Sequence, residues 1–258
     1  MDDSSPDEVV LVTGGSSGIG AATARRFATD GAAVVLAARD ESALSATADE
    51  LAESDGPVLT VPTDVTDPEA VSALFDATLD RFGRLDAAVV SAGVGEQRDV
   101  PLPELPLEQF ERVTETNVHG AYYTARAALP ALRETGGTLV FIGSYKGKYP
   151  STSTPVYAAS KWWLRGFAAS LAGRVGPDGV AVSLINPSGV PTAFGSEFRQ
   201  ETNDEALDPE RTITPGDVAA AVRYAVRQDA PAAVAELDRR SRPSASGLDP
   251  EGEGRKLR

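Results

Sequence analysis

Three side chains in one short stretch have the types and spacing needed to move a proton at an oxygen atom: Ser144, Tyr157 and Lys161. Tyr157 and Lys161 are four residues apart, so on a helix they lie one above the other on the same face. A phenol with a pKa of about 10 is a poor base near neutrality. An ammonium a few ångströms away favours the phenolate and lowers that pKa. The product is a tyrosine able to give or take a proton at a carbonyl or alcohol oxygen. Ser144 closes an expected strand, Gly137–Gly143, which sets its hydroxyl at the strand's carboxyl end to hold the same oxygen. A tyrosine and a lysine at this spacing also make an ordinary solvated helix face, so the remaining chain must decide.

The elements that would position these groups begin at the N-terminal end. Val9–Thr13 is a short apolar run, the pattern of a buried strand. Thr13-Gly14-Gly15-Ser16-Ser17-Gly18-Ile19-Gly20 follows, and then an Ala/Arg-rich helix to about Asp30. Strand, glycine loop and helix together let the backbone approach a pyrophosphate, with the helix N-terminus offering free N–H groups. A plain turn is the alternative, and the flanking elements favour the phosphate cradle. Ala33–Ala38 is the second strand, with Arg39-Asp40 directly after it. An NAD-selective fold often has an acid at the end of this strand. Here Ala38 fills that place and Arg39 is suited to a 2′-phosphate. That favours NADP(H), with NAD(H) as the alternative. Arg39 otherwise merely starts the next helix, with Asp40 competing for its charge.

Further along, Glu41–Glu53 reads as a helix and Val58–Val61 as a strand, closed by Asp64-Val65-Thr66. Asp64 contacts an adenine amino group or is a turn residue only. Glu69–Phe82 is a helix capped by Asp67-Pro68, and Asp86–Val90 a strand ending in Ser91-Ala92-Gly93, where small residues let a cofactor pass. After the loop Val94–Pro106, Leu107–Arg133 is expected as one long helix. Thr138–Ile142 and Val180–Ile185 are strands on either side of the Tyr157 helix, which runs to about Val175. The polar stretch Ala193–Arg211 is expected as a mobile flap, Val218–Arg227 as a helix and Ala232–Leu237 as the last strand. Alternating strands and helices give a single doubly wound parallel α/β sheet of seven strands, a Rossmann fold with helices on both faces. The expected division is a flexible 1–7, one dinucleotide-binding domain over 8–238, and a disordered Arg/Ser/Pro/Gly-rich tail over 239–258.

Composition narrows the chemistry. The 258 residues carry 38 Asp+Glu against 24 Lys+Arg, a net charge of −14. Such acidity argues against nucleic acid or an anionic membrane as partner. Of the basic residues only four are lysine, and a carboxylate-rich, lysine-poor surface fits adaptation to high salt, with simple solubility as the plainer reading. Cysteine is absent, which removes disulfide and thiolate chemistry. The single His119 argues against a histidine metal site or a histidine-based triad. No apolar run approaches the ~18 residues of a membrane span, and the acidic start lacks a signal core; a soluble cytoplasmic protein is expected.

Taken together, these residues resemble the short-chain dehydrogenase/reductase family over about residues 8–240. The loop Thr13–Gly20 fits the family pattern TGxxxGIG, and Asn117, Ser144, Tyr157 and Lys161 match its Asn-Ser-Tyr-Lys tetrad in order. The resemblance implies that Tyr157 is the general acid/base and that Lys161 lowers its pKa and bonds the nicotinamide ribose. It implies that Ser144 orients the substrate oxygen and that Asn117 holds a water linking Lys161 to solvent. By the same carry-over, Gly14, Ser16, Ser17, Gly18, Ile19 and Gly20 line the phosphates and ribose, and Asp64 and Val65 flank adenine. Ala92 and Gly93 lie along the cofactor, and Pro187, Val190 and Thr192 meet the nicotinamide. The sequence departs from the family's Asn-Ala-Gly at Ser91 and from its Pro-Gly at Ser188. The implied reaction is reversible hydride transfer between a nicotinamide and a small secondary alcohol or ketone, in a homotetramer or homodimer. Its rivals are 3-oxoacyl-carrier-protein reduction and a non-catalytic dinucleotide-binding regulator.

Overall fold

The computed structural model describes residues 6–54 and 56–241. Seven parallel strands form one sheet in the order β3-β2-β1-β4-β5-β6-β7. They are β1 Val9–Thr13, β2 Ala33–Ala38, β3 Val58–Pro62, β4 Ala87–Val90, β5 Thr138–Ile142, β6 Ala181–Pro187 and β7 Glu236–Arg239. The helices are α1 Gly18–Thr29, α2 Glu41–Leu51, α3 Pro68–Phe82, α4 Leu107–Thr114, α5 Ala121–Thr135, α6 Pro155–Val175, the single turn α7 Asn203–Ala206, and α8 Pro215–Val226.

The central strands β1, β4 and β5 are buried at every position and mostly apolar because both sheet faces are covered. Alternation then divides their side chains between two cores. Val9, Leu11, Ala33 and Val35 face one side, with Leu74 of α3, Ala125 of α5 and Leu164 of α6. Val10, Val12, Val34 and Leu36 face the other, with Phe27 of α1, Leu44 of α2 and Val222 of α8. The strand order reverses between β1 and β4, and a crevice opens there at the carboxyl ends, where ligands of such sheets bind.

Two elements differ from the sequence expectation. The stretch read as one long helix, Leu107–Arg133, is broken by a π-helical segment, Glu115–Gly120, between α4 and α5. The wider π turn buries Thr116 and Asn117 toward the crevice, whereas an unbroken amphipathic helix gives no sign of it. The last strand is Glu236–Arg239 rather than Ala232–Leu237, in register with Leu184–Pro187 of β6. The apolar run 232–235 is the segment that leads into the strand after a turn at 230–231, while the strand itself is charged because it is a sheet edge held by ion pairs. Glu236 meets Lys148 and Arg165, and Asp238 meets Lys148. This strand also takes in Arg239, beyond the boundary expected at 238. Residues 1–5 of the expected N-terminal segment and 242–258 of the expected tail lie outside the described residues.

Candidate active site

The glycine loop sits at the crevice because of close backbone contacts. Gly14 adopts φ +67°, and a Cβ there would lie 2.9 Å from the Ala92 nitrogen. A Cβ on Gly20 would overlap the Gly14 carbonyl, so helix α1 can start against the loop only with glycine here. Ser17, the N-cap of α1, makes no side-chain bond to the helix amides, which leaves that N-terminus free for an anion. Across the crevice, the buried Thr13 hydroxyl accepts from the Ser91 and Ala92 amides at 3.2 and 3.4 Å, holding that segment beside the loop. Loop, free helix end and small neighbours fit a dinucleotide pyrophosphate.

A cleft of about 1010 Å³ runs from this loop across the strand ends. At its first end stand Arg39, Asp64 and Val65. Asp40 spends its carboxylate on the α2 cap, accepting from the Ala43 amide at 3.0 Å and the Ser42 hydroxyl at 2.7 Å. Arg39 instead pairs at 3.5 Å with Glu197, which also binds Arg112 at 2.7 Å. Asp64 forms a local turn, accepting from the Thr66 amide and hydroxyl, and still lines the cleft. Gly14, Ser16, Ser17, Gly18, Ile19, Gly20, Ala92 and Gly93 line the middle, and Pro187, Val190 and Thr192 the far wall.

Ser144, Tyr157 and Lys161 converge at the other end of the same cleft. Ser144 follows β5, and its buried hydroxyl accepts from the Lys146 amide at 3.1 Å. Helix α6 carries Tyr157 and Lys161, with the Lys161 ammonium 5.7 Å from the centre of the phenol ring. That ammonium donates to the Ile142 carbonyl at 2.9 Å, and burial pushes its pKa down to about 8. Asn117 lies behind the cleft wall. Its Oδ1 accepts from the Val94 amide, while Nδ2 donates to the Val94 carbonyl and the Ser160 hydroxyl. Both its amide and the Lys161 ammonium come close to Gly93, at 3.4 and 3.7 Å from a Cβ built there.

Residues 8–203 match the family model described as short chain dehydrogenase. The chain belongs to the short chain dehydrogenase family. An uncharacterised oxidoreductase of Staphylococcus aureus (strain N315) is 34% identical over 223 residues, covering 86% of this chain and 92% of that relative. Among solved structures, an alcohol dehydrogenase from the archaeon Thermococcus sibiricus, complexed with 5-hydroxy-NADP, superposes with TM-score 0.82 at 32% identity. That match covers 92% of this chain and 99% of the other. A 3-ketoacyl-(acyl-carrier-protein) reductase from Brucella melitensis, complexed with NADH, gives TM-score 0.80 at 28% identity over 91% and 97% of the two chains.

The site also contains residues that no local pattern marks. Glu96 is 1% exposed, and its carboxylate accepts from the Val156 amide at 2.8 Å and the Tyr157 amide at 2.9 Å. It thereby caps α6, whose own N-cap Thr154 makes no side-chain bond to the helix amides. These amides lie 60 and 61 residues further along the chain, so only the fold reveals the contact. Phe194, from the expected flap, lies 5.4 Å from the Tyr157 ring, centre to centre. The departure at Ser188 places a buried hydroxyl with no hydrogen-bond partner at the cleft wall, while its amide donates to the Arg239 carbonyl at 2.8 Å.

Proposed function

We propose that this protein is an NADP(H)-preferring dehydrogenase/reductase that interconverts a small secondary alcohol and its ketone. The observation that carries the reading is the meeting of Ser144, Tyr157 and Lys161 at one end of the cleft whose middle is the glycine loop. The nicotinamide supplies or accepts the hydride. Tyr157 gives its proton to the carbonyl oxygen in reduction and takes it back in oxidation. The Lys161 charge favours the phenolate and its ammonium holds the ribose. Ser144 holds the substrate oxygen. Asn117, whose side-chain amide pins Val94 through both ends, holds a water that links Lys161 to solvent. Gly14, Ser16, Ser17, Gly18, Ile19 and Gly20 cradle the phosphates; Asp64 and Val65 flank adenine; Ala92 and Gly93 underlie the cofactor; Pro187, Val190 and Thr192 meet the nicotinamide.

Arg39 takes the 2′-phosphate. Its side chain is 52% exposed and its pairing with Glu197 is long, so a phosphate displaces the carboxylate at small cost. The likeness to an enzyme solved with 5-hydroxy-NADP supports this choice. Fluorescence titration of NADPH and NADH tests it: NADPH is expected to bind more tightly, and Arg39→Ala to erase the difference. Equal or tighter NADH binding by the unmodified protein would overturn the Arg39 assignment. The likeness to a ketoacyl-carrier-protein reductase favours that activity as the second reading. Against it, a net charge of −14 repels an acidic carrier. The assembly is a homodimer or homotetramer built on α5 and α6, where Tyr122, Trp162 and Trp163 remain 45%, 45% and 37% exposed.

A further inference from the structure

Two arginines meet at the Tyr157 end of the cleft without an acid between them. The Arg98 guanidinium donates to the Asn203 side-chain oxygen at 2.8 Å, and the Arg199 guanidinium donates to the same oxygen at 3.4 Å. Both line the cleft, as does Asn203 itself. Among the described residues neither guanidinium forms an ion pair. Arg39 and Arg112, in the same cleft, instead share the Glu197 carboxylate. Asp99, which also lines the cleft, makes no ion pair among the described residues.

Arg199 is built into place. It is half-buried, it donates to the Glu96 carbonyl at 3.0 Å, and its guanidinium packs 4.9 Å from the centre of the Phe194 ring. Phe194 in turn leans on Tyr157, so one phenyl ring fixes the guanidinium relative to the phenol. Gly95 makes the room: a Cβ there would overlap the Arg199 guanidinium and crowd the Phe194 ring at 3.0 Å. A guanidinium has five N–H donors, and the carbonyl and the amide oxygen engage two of them. Burial, and then repulsion from Arg98, push the Arg199 pKa down, against a smaller attraction from Tyr157 and Glu96. In a chain of net charge −14, two cations held together by one neutral oxygen form a local site that attracts an anion.

We infer that the substrate carries a carboxylate, which Arg199 and Arg98 bind while its alcohol or ketone carbon faces Tyr157. The substrate class is then a hydroxy or oxo acid with the two functions separated by a short chain. The inference rests on the hydride-transfer reading of this cleft, and the test separates the two. Butyrate, butyramide and propyl phosphate are titrated by calorimetry at low salt into the protein alone and into the protein saturated with NADPH. Butyrate is expected to bind about 10- to 100-fold more tightly than butyramide, the worth of charge-assisted hydrogen bonds. Arg199→Gln should bring that ratio close to one, and Arg199→Lys should keep part of it. Arg98→Gln, at an exposed position that leaves the fold intact, should lower the ratio by a smaller factor. Butyramide binding as well as butyrate, a preference that survives Arg199→Gln, or propyl phosphate binding more tightly than butyrate would each overturn the carboxylate assignment. Carboxylate preference in a protein that turns over no alcohol or ketone would instead sink the hydride reading and leave the anion site standing.

Discussion

Burial sets the charge on Lys161 and makes the site sensitive to pH. Lys161 is 6% exposed, its ammonium donates to the Ile142 carbonyl, and its pKa falls to about 8. Below pH 8 the folded protein holds a desolvated charge that the unfolded chain keeps hydrated, at a cost of about 3 kcal/mol. As pH rises from about 8 toward the ordinary lysine value, the folded state has lost the proton and the unfolded state has not. Stability from this group therefore rises across that window. Lys161→Met should unfold at higher urea than the parent at pH 7, with the gap closing by pH 10. A Met variant less stable than the parent at pH 7 would contradict the burial argument. At this scale the Tyr157–Lys161 pair was legible because four-residue spacing on a helix is local. Glu96, Phe194 and Arg199 were not, because each acts through residues far away in the chain.

Among the elements, α6 shows how a distant loop positions chemistry. Its first-turn amides would be orphaned without the Glu96 carboxylate, a favourable charge at a helix N-terminus. Glu96→Ala should cost about 1–3 kcal/mol in urea unfolding, and turnover should fall with little change in NADPH affinity, because the tyrosine loses its fixed place. Glu96→Gln, which keeps one acceptor oxygen, should lose less of both. An alanine variant as stable as the parent would show that the cap is dispensable. The interior strands β1, β2, β4, β5 and β6 and the glycine loop were readable to within one or two residues, since apolar runs buried on both faces and glycine turns are written in adjacent positions. The edge strand β7 and the π turn were not. A charged edge is stabilised by ion pairs from other elements, and a π turn keeps the composition of the helices around it.

For the molecule as a whole, charge is the dominant variable. Its surface pairs, such as Arg25–Glu50 and Arg133–Asp178, are exposed and each contributes little. The 14 excess negative charges repel one another over a screening length of about 10 Å at 0.1 M salt and about 3 Å at 1 M. The thermal midpoint should therefore rise between 0.1 M and 2 M KCl, whereas a fall would argue that the ion pairs outweigh the repulsion. The same acidic body makes the basic patch beside Tyr157 stand out, and it sets a small anionic substrate against a large acidic carrier. The central claim is proton transfer by Tyr157, and the most direct measurement is turnover of Tyr157→Phe on a panel of hydroxy and oxo compounds, with NADPH affinity measured in parallel. Turnover is predicted to fall by about 10²–10⁴-fold or more, with NADPH affinity within about twofold of the parent. A phenylalanine variant that retains parental turnover would contradict the account.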